Sequence, residues 1–346
     1  MHAVVLHEFG PAENLRYETL PDPEPGPGQV RIAVRAAGVH AIETVLRAGV
    51  TEGLVPPLPQ LPAVFGGEVS GTVDALGPGV DPGWLGRDVV TAYGTPGGYA
   101  ELAVADVSAL HPRPAALSHE AAVAMIVTGG TTMGVLAHAG LRLDDVVLIN
   151  SAAGGIGRLL IQHARALGAT VVGAAGGPVK SAAVRELGAD LAVDYDQPGW
   201  DKTVSDRLAR ERVPKEGLAE ERPGKERPGT RGSVTVVLDG VSGEKGRAAF
   251  GLLGEGGRYV TYGAISRSVF EPSAELLAER GVTWVNALGE LLAGPENTPD
   301  YQAQALARAA DGELAPDVQR FPLSRAAEAH AALERRETTG KVILLP

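Results

Sequence analysis

Residues 146–168 read VVLINSAAGGIGRLLIQHARALG, and this stretch decides the fold. An apolar β-type run from Val146 to Ile149 enters a glycine-rich turn and leaves as an amphipathic helix. Small residues stand at Ala152, Gly154 and Gly157, the positions of the dinucleotide fingerprint G-x-G-x-x-G, with alanine replacing the first glycine. Gly154 lets the backbone approach a pyrophosphate, and Gly157 lets the helix pack close to the strand. The helix N-terminus then offers unpaired N–H groups and a partial positive charge to phosphates. Ile156, Leu160, Ala164 and Leu167 fall on one helix face, the pattern of a helix laid against a sheet. The plain alternative is a strand–turn–helix with no ligand.

The second strand of the unit, TVVGAAGGPVK, bears on which nucleotide binds. An NAD site carries an acid about 20 residues beyond the fingerprint, on the ribose 2′-OH. That position falls near Ala175, where no carboxylate stands, and Lys180 follows. Removing an acid and adding a lysine favours a 2′-phosphate, hence NADPH. Lys180 alone is equally well read as a solvated helix lysine; the missing acid decides for NADPH.

At 346 residues and 44% hydrophobic, the chain has enough apolar material for a sizeable core and two domains. A net charge of -11 argues against nucleic acid as a partner. With no cysteine, disulfides, thiolate catalysis and Cys-ligated zinc are excluded. No apolar run is expected to reach the roughly 20 residues of a membrane span, and the N-terminus has no signal-peptide pattern. The expectation is a soluble, cytosolic protein acting on a small-molecule substrate, with no membrane partner.

Residues 1–117 read as short strands broken by Gly and Pro clusters, among them HAVVLH, QVRIAVRAAGV, GEVSGTVDALG and RDVVTAYG. From 118 to 290 helical patterns (119–140, 156–168, 178–188, 244–254) alternate with apolar strands at 146–150, 170–174, 191–194, 234–239, 258–262 and 282–287. Such alternation predicts a doubly wound parallel sheet. The segment 291–346 is expected to close with one helix and one strand. Between Arg207 and Arg231 runs a Glu/Arg/Lys/Pro/Gly-rich stretch with a near-tandem, ERPGK then ERPGT, read as a solvated flexible insertion, with a partner-docking loop as the alternative.

The opening MHAVVLHEFGPAENLRYETLPDPEPGPGQVRIAVRAAGV, the GRDVV and GGYAEL segments, the AAGGIG turn and the terminal TTGKVILLP resemble the medium-chain dehydrogenase/reductase superfamily, in its zinc-independent quinone oxidoreductase branch. The resemblance covers essentially the whole chain. It implies an α/β fold: a GroES-like β-barrel domain (1–117 and 291–346) plus a Rossmann domain with a doubly wound parallel sheet (118–290). It also implies a homodimer paired through the edge strand near Val282 to Ala287, and a reaction cleft between the domains. Cofactor contacts are expected from Ala153, Gly154, Gly155, Ile156 and Gly157, with Lys180 and Tyr195 at the 2′-phosphate. Thr131, Val241, Gly263 and Ala264 match positions that line the nicotinamide. Tyr195 and Gly263 would look the same in a chain without that ligand.

The zinc-using branch places metal ligands at positions matching His40, Gly67 and the 128–132 stretch TGGTT. His40 and Glu68 would give at most two of the three protein ligands a catalytic zinc needs, so no metal is expected. Close relatives of the zinc-independent branch carry N-x-x-D-T-Y where this chain reads His40-Ala-Ile-Glu43-Thr44-Val45. The expected reaction is hydride transfer to a quinone or α,β-unsaturated carbonyl, for which His40 could donate to the developing oxyanion with Glu43 holding its imidazole; the plain alternative is a half-buried His40 bonded to backbone and a surface carboxylate at Glu43. The altered segment leaves two alternatives open: an enoyl-thioester or biosynthetic tailoring reductase, and a nucleotide-binding sensor or structural protein with little catalysis. Arg47, one turn beyond Glu43, is expected to pair with it on the helix surface.

Overall fold

The structure, a computed structural model, describes residues 1–51, 57–92, 97–210 and 232–346. The charged repeat at 221–230 lies outside the described residues; the helix Trp200–Arg210 takes in the start of the charged stretch. Contacts divide the chain into two units, Met1–Met133 with Thr298–Pro346, and Gly134–Asn297.

In the second unit six strands lie parallel in the order Leu191–Asp194, Thr170–Ala175, Val146–Asn150, Val234–Asp239, Leu253–Thr261, Thr283–Asn286. The first strand in sequence thus lies beside the fourth, so the winding reverses between them. Ligands of open α/β sheets bind at that reversal, beyond the carboxyl ends of the strands. Near-continuous apolar runs make the central strands: Val147, Leu148, Ile149, Val236, Val237 and Leu238 are fully buried, as strands covered on both faces require. The helix Gly155–Leu167 turns Gly157, Leu160, Ile161 and Ala164 inward, while Ile156 and Leu167 are only half-buried. The buried stripe therefore lies slightly round the helix from the expected one.

In the first unit a seven-stranded sheet runs Val318–Pro322, Lys341–Leu345, Gln29–Val39, Glu68–Leu76, Asp88–Ala92, Leu110–Pro112, with Leu102–Asp106 also pairing Gln29–Val39. A smaller sheet joins Leu15–Thr19, His2–Leu6 and Ala63–Val64. Val30, Ile32, Val69, Val73 and Val89 form the core beneath them with Leu6, Tyr99 and Leu344. The closing segment carries more than one helix and one strand: Val318–Pro322 pairs in parallel with Lys341–Leu345, and Thr298–Ala310 is a helix. The short run VQRFP ends in proline and is tolerable only on a sheet edge, where it lies.

The helical run 119–139, with a π-helical turn over Met125–Gly129, begins in the first unit. Val123 and Ala124 pack on Ala36 and Ile343 of the strands, and the contacts divide the chain at 133/134 and at 297/298. This run corrects one expectation: its 21 residues are long and apolar enough to cross a membrane by length and composition. Of its apolar 18-residue stretch, 72% is buried inside the protein, as in a core helix.

Candidate functional site

The nucleotide-binding turn follows the strand Val146–Asn150 directly. A Cβ on Gly157 would lie 2.8 Å from Cα of Ala152, so only glycine lets the helix sit this close to the turn. Gly154 precedes the helix in extended backbone, with no side chain capping the N-terminus. A Cβ there would stand 3.3 Å from the Ser151 carbonyl and hydroxyl, narrowing the turn. The first-turn N–H groups, including those of Gly155 and Ile156, are therefore the donors a pyrophosphate would take. Ala153 is buried behind them. The residues fit the phosphates of a dinucleotide.

Val241 and Gly263–Ala264 follow the carboxyl ends of the strands Val234–Asp239 and Leu253–Thr261, and backbone bonds join the two turns, Ser266 N donating to Val241 O at 3.1 Å. Asp239, fully buried, shapes the first turn by accepting from Val241 N (2.9 Å), Ser242 N (3.1 Å), Asn150 Nδ2 (3.1 Å) and Tyr259 Oη (2.6 Å). Thr131 lies in the helix Gly130–Ala139, on the part belonging to the first unit.

Ala175 ends the second strand, 1% exposed, in register with Asp194 of the third. Asp194 accepts from Gly177 N at 2.8 Å and Asp196 N at 2.9 Å. Its slight burial works upward on the carboxyl, but these N–H groups, Gln197 and Lys245 outweigh it and hold it below the usual carboxylate range. Gly177 starts the helix Pro178–Glu186, which carries half-buried Lys180 in its first turn. Tyr195, also half-buried, stands beside Asp194.

The first unit holds a second polar cluster. His40 precedes the short helix Ala41–Arg47, and its backbone N–H donates to Glu43 Oε2 at 2.7 Å. Glu43 Oε2 also accepts from Tyr99 Oη at 2.6 Å, whose oxygen lies 3.1 Å from Nε2 of His330. Because Tyr99 spends its proton on Glu43, the His330 Nε2–H must be the donor to Tyr99, leaving Nδ1 as a buried acceptor without a partner. Burial, with Arg47 nearby, drops His330 to a pKa of about 3, so it is neutral at pH 7. Burial pushes the Glu43 carboxyl up, against the opposite pull of His40, Tyr99 and Lys341.

The imidazole of His40 meets other partners. Its Nε2 lies 3.0 Å from Glu68 Oε1, and the Lys341 ammonium lies 3.1 Å from Nε2 and 3.2 Å from Nδ1. Lys341 is also ion-paired with Glu68. Glu68 is wholly buried, and burial alone would raise its pKa; the charges of His40 and Lys341 and their hydrogen bonds outweigh it and hold it at about 2. His40 keeps 20% of its side chain exposed, so it alone of the three opens appreciably to solvent. A Cβ on Gly38 would collide with the Glu68 side chain, 2.8 Å from its Cγ, so glycine makes room for the carboxylate.

Two expectations are thereby corrected. Glu43 holds the backbone of His40 rather than its ring, as a residue at the third helical position reaches back to the cap N–H. Arg47 does not pair with Glu43 on a surface: it is 1% exposed and donates to the Gly10 carbonyl and the Glu334 carboxylate. Lys341, Tyr99 and His330 went unremarked in the sequence. One signal was available for Lys341, a lone charge opening the apolar strand KVILL.

A zinc ion does not fit this cluster. The matching positions hold His40, Gly67 and Thr128–Thr132, and the cation of Lys341 lies against both available donors. Among the described residues no three His, Cys, Asp or Glu side chains are grouped to hold a metal.

The chain matches the family model of the alcohol dehydrogenase GroES-like domain over residues 26–115 and that of a zinc-binding dehydrogenase over 187–344. It is 31% identical to a quinone oxidoreductase of Pseudomonas aeruginosa over 98% of this chain and 97% of that protein. A 2-haloacrylate reductase of a Burkholderia species is 30% identical, over 99% and 98%. The structure superimposes on a mycobacterial protein solved in complex with NADPH with a TM-score of 0.82 at 30% identity, covering both chains fully.

Proposed function

The chain belongs to the medium-chain dehydrogenase/reductase superfamily, in its quinone oxidoreductase-like branch, and from that premise we propose a zinc-free reductase of quinones or α,β-unsaturated carbonyls. Its relatives make it an oxidoreductase that uses NADPH. The substrate class rests on His40, the exposed member of a buried charge network.

Two similar proteins bear names of different substrates, a quinone and a 2-haloacrylate. Both contain an electrophilic carbon conjugated to a carbonyl or carboxyl group. Bound NADPH supplies a hydride to such a carbon. The displaced electron pair settles on the carbonyl oxygen, which needs a donor at once and then one proton. His40 is that donor, and its ring regains a proton from solvent through its exposed edge. Glu68 orients the ring and stays ionised, balanced by Lys341, so no net charge remains buried. Glu43 and Tyr99 hold the backbone of His40 in place. On the cofactor side Lys180 and Tyr195 take the 2′-phosphate, while Thr131, Val241, Gly263 and Ala264 line the nicotinamide.

The test is NADPH consumption with a panel of a p-quinone, a simple enone, 2-chloroacrylate and a crotonyl thioester, before and after exhaustive chelation. Turnover on at least one, unchanged by chelation, is expected. Silence across the panel would remove the conjugated-carbonyl reading, and loss on chelation would remove the zinc-free one.

A further inference from the structure

Beside the expected 2′-phosphate position lies a second lysine, from a different helix. Lys245, in the helix Gly243–Gly251, lays its ammonium 4.0 Å from the centroid of the Tyr195 ring and ion-pairs with Asp196. Asp196 and Tyr195 in turn border the end of the second strand: a Cβ on Gly176 would lie 2.6 Å from Asp196 Oδ2 and 3.1 Å from Tyr195 Cε2. Lys245 thus reaches the patch through the same two residues that touch the turn after Ala175, where a dinucleotide fold places the 2′ substituent.

The charge balance of the patch asks for this second cation. Asp194 is held ionised by its hydrogen bonds, and Asp196 contributes another carboxylate to the same edge. Of these two carboxylates, Asp196 holds a cation in direct contact, Lys245. We propose that Lys245 is a specificity-determining residue for NADPH, exchanging its Asp196 partner for the 2′-phosphate while the Tyr195 ring keeps its ammonium in place. The exchange trades one charge-assisted bond for another, to a group that carries about −1.5 to −2 charge in place of −1. NADH offers nothing for the ammonium to gain, so the Lys245–Asp196 pair stays closed against it.

This inference rests on the placement of the 2′-phosphate at Lys180 and Tyr195, and the experiment separates the two. Dissociation constants of NADPH, NADH, adenosine 2′,5′-bisphosphate and 5′-AMP are measured by fluorescence and calorimetry on the wild-type protein and on Lys245→Met, Lys245→Arg, Lys180→Met and Asp196→Asn. Lys245→Met is expected to weaken NADPH and the bisphosphate about tenfold. NADH and 5′-AMP should change less than about twofold, which also certifies the fold. Lys245→Arg should retain most of the affinity. Asp196→Asn should tighten NADPH a few-fold, since a carboxylate and its competing pair are removed. An Asp196→Asn protein with unchanged or weaker NADPH binding, or a Lys245→Met protein with the wild-type NADPH/NADH ratio, overturns the role of Lys245. If Lys180→Met also leaves the ratio unchanged, the placement of the 2′-phosphate itself has failed.

Discussion

Lys341 and His40 lie 301 residues apart in sequence, yet the lysine ammonium is 3.1 Å from the imidazole Nε2. The sheet brings them together. Lys341–Leu345 runs antiparallel to Gln29–Val39 with Val342 opposite Val39, so the lysine opening one strand meets the histidine that follows the other. Glu68, at the start of the neighbouring strand, completes the group.

Lys341→Met should leave Glu68 buried with only His40 as partner. Removing one member of a buried ion pair costs about 3–5 kcal/mol, and the residual contact to His40 places this case at the lower end. Urea denaturation should show the loss, and the double variant Lys341→Met with Glu68→Gln should recover part of it. Strictly additive losses would mean the two side chains are not coupled.

Acid should destabilise the first unit in two stages. His330 titrates at about 3 in the folded chain against its ordinary 6.5, so as pH falls below 6.5 the unfolded chain takes up a proton that the native one refuses. Stability contributed by this group is full above 6.5 and declines by about 1.4 kcal/mol per pH unit down to 3. Glu68, depressed from 4.5 to about 2, adds a second loss as pH falls from 4.5 to 2. Glu43, raised by burial, works in the opposite direction. Denaturation at a series of pH values should give a shallower slope from 6.5 downward in His330→Phe, and in Glu68→Gln only below 4.5. Slopes identical to wild type in both variants would contradict the assignment.

Gly38→Ala puts a methyl group where the Glu68 side chain lies. Displacing that carboxylate should cost stability by about 1–3 kcal/mol and abolish most turnover, with NADPH affinity unchanged because the nucleotide turn belongs to the other unit. Full activity in this variant would show that the position of Glu68 does not matter to His40.

The strand Thr283–Asn286 ends the parallel sheet and presents an open edge among the described residues. Pairing of two such edges across a two-fold axis would cover it, and the expected species in sedimentation is a homodimer. Arg or Pro substitutions at Val285 should then yield monomers; a wild-type protein that sediments as a monomer would contradict the pairing.

The nucleotide-binding half was legible because its signals are local. Strand, glycine turn and helix occupy 23 consecutive residues, and the alternation that predicts the parallel sheet repeats through the unit. The polar cluster was only partly legible. His40 and Glu43 stood out because they replace a recognisable pattern, and Glu68 because it adjoins a metal-ligand position. Their partners come from residues 99, 330 and 341, and no local periodicity connects those to position 40. Arg47 shows the same limit: spacing places it one turn from Glu43, but only the packing of the helix Ala326–Glu334 reveals that the arginine is buried beside Glu334. Lys245 was invisible for the same reason, since its contacts to Tyr195 and Asp196 cross from one helix to the end of another strand.

The most direct test of the account is the pair His40→Ala and His40→Asn, assayed on whichever conjugated carbonyl the wild type reduces, with NADPH affinity measured alongside. The account predicts that His40→Ala lowers kcat by 10²- to 10⁴-fold, on the order of the usual worth of a positioned proton donor, while the NADPH dissociation constant stays within about twofold. His40→Asn, which can still donate a hydrogen bond, should recover part of the loss. Wild-type turnover in His40→Ala with unaltered cofactor binding would contradict it, and the donor would have to be sought elsewhere.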